Sequence, residues 1–228
     1  GNGKNPVAIF RDKENDFYLG AKGGKAHLSH GNMDAGTFVF ELNGVRWVID
    51  PGNQSYYPLN KIGFNLSGHC QDCPRWTLLT KRNDAHSTIT VNDERFNVEG
   101  HARIIEFKEG DQPEVSIDMT DLYFGNLASL KRRFVKENSN SILIEDQIEI
   151  NDSTKDITWG LMTVADVIPV KNGAILKQDG KELKLTILSP EKIQVSVISL
   201  DPPPLEIDKT IENLKRLEIR VPAWIFEN

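Results

Sequence analysis

Several things are scarce in this chain. Only 2 of its 228 residues are cysteines, and both lie in one Cys70-Gln-Asp-Cys73 unit. A single such unit cannot build a four-cysteine zinc site. No βαβ pattern surrounds it, which argues against a thioredoxin-like role. His69 precedes the pair, so three readings stay open: a loop disulfide, two free thiols, or a fragment of a metal site. The first two are the ordinary fates of such a pair. Long apolar runs are missing as well, and nothing approaches the ~20 residues that span a bilayer. Positive charge is in deficit: 27 Lys and Arg face 33 Asp and Glu, for a net charge of −6. No basic excess is available to displace counterions, which argues against a nucleic-acid partner. A local basic patch still suits an anionic sugar.

Helical periodicity is nearly absent. The best helical candidate, residues 207–214, follows Pro202-Pro203-Pro204 and is a short connector at most. Nucleotide-binding glycine patterns, nucleophile elbows and helical zinc-protease motifs are also missing. The chain opens Gly-Asn-Gly-Lys-Asn-Pro, without Met or an apolar leader, and reads as a processed or excised start.

What is present is a succession of short alternating apolar runs. They fall at residues 17–22, 87–91, 95–98, 103–107, 115–119, 130–135, 142–150, 157–163, 174–176, 183–188, 193–198 and 217–221. Gly, Asn, Asp and Pro separate them, which indicates an all-β sandwich or barrel. No linker divides the chain, so one domain over residues 1–228 is expected, large enough to bury a substantial core. Residues 52–84 form a long irregular stretch. Its aromatics argue for an ordered loop, and loops this long are usually functional.

The most informative stretch runs from His30 to Gly52. Asn43-Gly44 sits between alternating apolar residues and predicts a two-residue hairpin turn. That register pairs Leu42 with Val45, Phe40 with Trp47 and Phe38 with Ile49, all on one face. Glu41 then opposes Arg46 as an ion pair. Asp50 falls opposite Thr37 at the open end, where His30-Gly31-Asn32-Met33-Asp34 enters. Pro51-Gly52 ends the second strand there. Polar groups on the ends of a packed scaffold are a common site design. Asp34 reads as a turn residue that accepts backbone N–H bonds. Lys131-Arg132-Arg133 reads as a solvated strand face.

This stretch resembles the heparinase II/III-like polysaccharide lyases. The resemblance rests on His30-Gly-x-x-Asp34-Ala-Gly-x-Phe38, the Asn-Gly turn, Trp47-x-x-Asp50-Pro-Gly and His86-Ser-Thr. It continues more loosely through Lys131-Arg132-Arg133-Phe134, Glu145-Asp146 and Leu214-Lys215-Arg216-Leu217. It implies the C-terminal domain of such an enzyme, with a large antiparallel two-sheet, supersandwich-like β-sandwich. The implied partners are an acidic polysaccharide substrate and an N-terminal α-helical toroid of the same protein. Nothing in these residues corresponds to the toroid, which carries the usual tyrosine base. The chain alone is therefore expected to have little or no activity. An exported bacterial protein, periplasmic or secreted, is implied as well.

The resemblance also assigns residues. His30 is the catalytic candidate, facing the uronate. Asn32, Asp50 and His86 fall where related lyases place three metal ligands. Many relatives have His-x-His where this chain has His30-Gly31-Asn32. An amide oxygen is a weaker zinc ligand than imidazole. Three states follow: a harder ion such as calcium or manganese, a weakened zinc site, or a metal-free hydrogen-bond cluster. No organic cofactor is implied. Tyr57, Arg75 and Trp76 are candidates for a sugar cleft, because aromatic faces stack on pyranose rings and an Arg fork pairs with carboxylate or sulfate. The alternative reading of the whole chain is a non-catalytic carbohydrate-binding or scaffold module.

Overall fold

A computed structural model describes residues 3–227; Gly1, Asn2 and Asn228 lie outside the described residues. In chain order the strands are β1 (Val7–Asp12), β2 (Phe17–Lys22), β3 (Phe38–Leu42), β4 (Val45–Val48), β5 (Ile89–Val91), β6 (Arg103–Lys108), β7 (Glu114–Asp118), β8 (Ser129–Asn138), β9 (Ser141–Glu149), β10 (Asp156–Thr163), β11 (Asp166–Val170), β12 (Gly173–Gln178), β13 (Lys181–Thr186), β14 (Ser196–Ser199) and β15 (Lys215–Pro222). The single α-helix among the described residues, α1, is Tyr56–Lys61. The ladders are antiparallel throughout, as an all-β chain of short alternating runs requires.

The strands do not form two large sheets. Their hydrogen bonds define four small ones, ordered β1-β2-β3-β4, β14-β15-β10-β5, β11-β12-β13 and β6-β7-β8-β9. Only point contacts join the first of these to its neighbours. Gly24 makes an isolated bridge to Ala102, and the Ile49 N–H donates to the Met162 carbonyl at 3.0 Å. The ladders stop where strands are short, bulged or broken by glycine. Residues 95–98, expected as a strand, are irregular: the N–H groups of Phe96 and Val98 donate to side-chain oxygens of Asn83 and Gln71 instead. Residues 207–214 form turns rather than a helix.

The sheets close over one apolar core. Phe38, Phe40 and Trp47 come from the first sheet, Ile117, Leu130 and Phe134 from the β7–β8 side, and Leu161 and Leu217 from β10 and β15. The ring of Phe38 lies 5.5 Å from that of Phe134 and 6.4 Å from that of Trp159. Burying each such side chain is worth roughly 1.5–3 kcal/mol. A smaller cluster of Leu79, Ala85, Met162, Leu200 and Leu214 packs beneath the segment that leads to His86.

The hairpin turns at Asn43-Gly44, where φ is 54° and 77°. Both angles are positive, as a type I′ turn demands. Leu42 pairs with Val45 and Glu41 with Arg46, whose Nε donates to the carboxylate at 2.6 Å. Beyond that point the expected register fails. A bulge makes Val48, not Trp47, the partner of Phe40. The extra residue lets Trp47 stay buried while its carbonyl accepts from Thr163 Oγ1 at 2.7 Å. A bulge bends its strand, and here the chain swings from β3 to β10. Asp50 therefore leaves the ladder before it can sit opposite Thr37.

Candidate functional site

The first part of the site is the segment entering β3. Gly31 sits so close to Ala26 that an added Cβ would lie 2.1 Å from the Ala26 carbonyl oxygen. His30, just before it, has φ 59°, a left-handed conformation that few non-glycine residues adopt. The His30 ring is solvent-exposed. Its Nδ1 lies 3.0 Å from the Tyr56 hydroxyl, and the two rings stack with centroids 5.6 Å apart. Tyr56 opens α1 in the long loop, so that loop folds over the open end of the hairpin as an ordered structure. The Asp34 carboxylate pairs with the Lys22 ammonium on β2, and its carbonyl accepts from the Thr37 N–H at 3.0 Å.

Asp50, partly exposed, meets the fully buried His86. The Asp50 Oδ2 is 2.8 Å from His86 Nδ1, and His86 Nε2 is 3.1 Å from the Thr80 carbonyl. Both ring nitrogens thus face acceptors, and an imidazole satisfies both only as the doubly protonated cation. Burial alone would lower the His86 pKa, but the charge and hydrogen bond of Asp50 outweigh it and hold the imidazole above its usual range. Burial likewise pushes Asp50 up. The His86 cation and the Gly52 N–H outweigh that, and the carboxyl is held below its usual range.

Asn32 belongs to a different contact. Its Oδ1 accepts from the ammonium of Lys81 at 2.8 Å, and that ammonium also reaches Asn53 Oδ1 at 3.3 Å. Lys81 Nζ lies 5.6 Å from the centroid of the Tyr56 ring, a cation–π distance. Lys81 is fully buried. Burial, reinforced by the nearby Arg75 charge and opposed by Asp34, brings its pKa down to about 8.

The expected metal ligands therefore do not fit a divalent ion in this arrangement. Both ring nitrogens of His86 already face protein oxygens, the Asp50 carboxylate is turned to His86, and the Asn32 oxygen is held by an ammonium. Among the described residues no three His, Cys, Asp or Glu side chains converge as a metal-binding group.

The sugar-cleft candidates separate. Tyr57 is 76% exposed on α1 and is open to a ligand. Arg75 and Trp76 are buried at 2% and 0% exposure, so neither presents a face or a fork to solvent. They anchor the loop instead. Arg75 donates to the carbonyls of Leu66 and Gly31, at 3.1 and 2.9 Å, and its guanidinium lies 4.8 Å from the Trp76 ring. Trp76 Nε1 donates to the Cys70 carbonyl at 2.8 Å. Cys70 and Cys73 are bridged, closing the turn that leads into this anchor. Burial and the Arg75 charge hold the His69 pKa down, which suits a neutral ring receiving an Arg75 N–H at 2.7 Å.

Four contributors were not assigned to the site from the sequence: Tyr56, Lys81, and the pair Arg132–Asp146. Arg132 is not on a solvated face. It is fully buried, forms a two-pronged pair with Asp146 at 2.7 and 2.9 Å, and donates through Nη1 to the carbonyls of Gly36 and Ser87 at 2.9 and 3.2 Å. It thereby ties the turn after Asp34 to the residue after His86. The signal available in the sequence was the alternation itself, since Leu130, Arg132 and Phe134 share one strand face.

Comparisons with known proteins bear on the family and the fold. The family model described as heparinase II/III-like, C-terminal, matches residues 7–209. No curated protein matches the chain. Among solved structures, heparan sulfate lyase HepC from Pedobacter heparinus superposes with TM-score 0.68 at 19% identity, over 95% of this chain and 32% of that one. A heparinase III crystal structure gives TM-score 0.70 at 16% identity, over 95% and 33%. The heparinase III BT4657 product gives 0.66 at 13%, over 95% and 32%. The chain thus spans about a third of the length of the proteins whose fold it shares. With most of its length matched by the family model, the chain belongs to the heparinase II/III-like C-terminal family.

Proposed function

We propose that this chain is the β-domain of a polysaccharide lyase that cleaves uronic-acid glycans of the heparan sulfate or alginate type by β-elimination. The observation that carries the reading is the presentation of His30. The ring is exposed, yet its backbone is held in a left-handed conformation, its neighbour Gly31 is bonded by buried Arg75, and its Nδ1 faces Tyr56. A solvent-facing imidazole on so constrained a mount suits a substrate-facing role better than a structural one.

β-Elimination removes the proton at C5, beside the carboxylate, and expels the oxygen at C4. The carboxylate must be neutralised, a base must take the C5 proton, and the leaving oxygen must gain one. In this reading His30 assists at the uronate through Nε2, while Tyr56 fixes the ring through Nδ1. The C5 base comes from an N-terminal helical domain of the same protein. The Cys70–Cys73 bridge is in keeping with an oxidising compartment such as the periplasm or the exterior.

The test is absorbance of the new C4–C5 double bond over a panel of uronate polysaccharides. The chain is compared with a version extended to include its N-terminal region. Signal from the extended version alone supports the proposal, and the panel identifies the substrate. A binding-module reading draws on the exposure of Tyr57. It gains if the extended protein is inactive while this chain binds glycan saturably and Tyr57→Ala abolishes binding.

A further inference from the structure

The lysine at the centre of the site has an unusual environment. Lys81 is 0% exposed, and no carboxylate lies within ion-pair distance of it among the described residues. Its ammonium contacts Asn32 Oδ1, Asn53 Oδ1 and the face of Tyr56. A buried charge persists only where such groups replace its water. The backbone of Lys81 is fixed as well. Its N–H donates to the Leu78 carbonyl at 3.0 Å, and its carbonyl accepts from the Met33 N–H at 2.8 Å.

These contacts join three stretches of chain. Asn32 lies two residues after His30, Asn53 follows the Pro51-Gly52 break, and Lys81 leads into the segment ending at His86. A divalent ion on Asn32, Asp50 and His86 would join the same three. The positive charge is instead supplied by the protein itself, as the Lys81 ammonium on Asn32 Oδ1 and Asn53 Oδ1. Asn32 then has a role that needs no metal: its amide oxygen accepts from the Lys81 ammonium at 2.8 Å.

We propose that the Lys81 ammonium is the resident cation of this site, taking the place of a divalent metal and positioning the His30-bearing segment through Asn32. The inference is independent of the lyase reading, because its tests measure metal content, thermal stability and the His30 ring rather than turnover.

The chain is equilibrated with Zn²⁺, Ca²⁺ or Mn²⁺, desalted and assayed for metal, and its Tm is recorded with and without EDTA. The expected result is no stoichiometric metal and a Tm that neither chelator nor added ion moves. In Lys81→Ala the Tm falls by roughly 5 °C or more, and the His30 imidazole resonances shift. Methylammonium restores both in part, and tetramethylammonium at equal ionic strength does not. The proposal is overturned if the unaltered chain holds one metal per molecule and EDTA lowers its Tm. It is overturned equally if Lys81→Met leaves both Tm and His30 resonances unchanged. Should Lys81→Ala fail to fold, the metal and EDTA measurements on the unaltered chain still decide.

Discussion

Replacing Arg132 by Met tests the packing that joins the two halves of the site. The guanidinium is fully buried and its Asp146 partner retains only 10% side-chain exposure. Removing one member of such a pair leaves the other charged without its partner and costs about 3–5 kcal/mol. The carbonyls of Gly36 and Ser87 lose their shared donor at the same time, which places the loss toward the upper end. A domain of this size shifts by about 2–4 °C per kcal/mol, so the Tm falls by roughly 6–20 °C. Calorimetry or near-ultraviolet circular dichroism reads this directly. The double variant Arg132→Met/Asp146→Leu recovers much of it, because no orphan charge remains. A single variant within about 1 kcal/mol of the parent would show that the pair behaves like a surface one, and the reasoning would fail. A double variant no better than the single would point to lost carbonyl bonds as the dominant cost.

Three further outcomes are expected. The Asp50–His86 pair makes stability depend on pH. The raised His86 pKa gives a contribution complete below about pH 6.5 and lost as pH rises through the folded value, while the lowered Asp50 pKa gives one present above about pH 3.8 and lost as pH falls through its folded value. Tm against pH is therefore flatter in Asp50→Asn, and an unchanged profile contradicts the imidazolium assignment. Gly31→Ala forces the backbone away from the Ala26 carbonyl. It lowers the Tm and displaces the His30 ring resonances, whereas Gly63→Ala, with open space around it, leaves the ring in place. Opening the Cys70–Cys73 bridge, a loop of sequence separation 3, removes about 2 kcal/mol of loop-closure stabilisation, or roughly 4–8 °C in Tm. Comparing the chain with and without reductant measures it.

The strands were legible wherever one face is buried and the other wet, because period-two alternation reports that geometry. Runs such as 157–163 and 217–221 fall within β10 and β15. β1 was hidden because its outer residues, Val7 and Ile9, are apolar yet 55% and 45% exposed, which erases the alternation. β11 contains Pro169, a residue that argues against a strand. It is tolerated because β11 is an edge of its sheet. The Asn-Gly turn and the Glu41–Arg46 pair followed from local chemistry. The bulge did not, since it depends on what β10 offers to Ile49 and Trp47. At the site, His30, Asp50 and His86 stood out by motif, and the last two meet. Lys81 and Arg132 did not stand out, because a lone lysine in a loop and an arginine in a basic triplet both read as solvated. Only the fold reveals that each is buried against oxygen acceptors.

The most direct test of the account is the ultraviolet elimination assay on the extended protein carrying His30→Ala. The account predicts that absorbance from the C4–C5 double bond is lost while Tm stays at the parent value, since the ring is exposed and carries no core packing. Full turnover by that variant, or turnover by this chain without its N-terminal region, would contradict it.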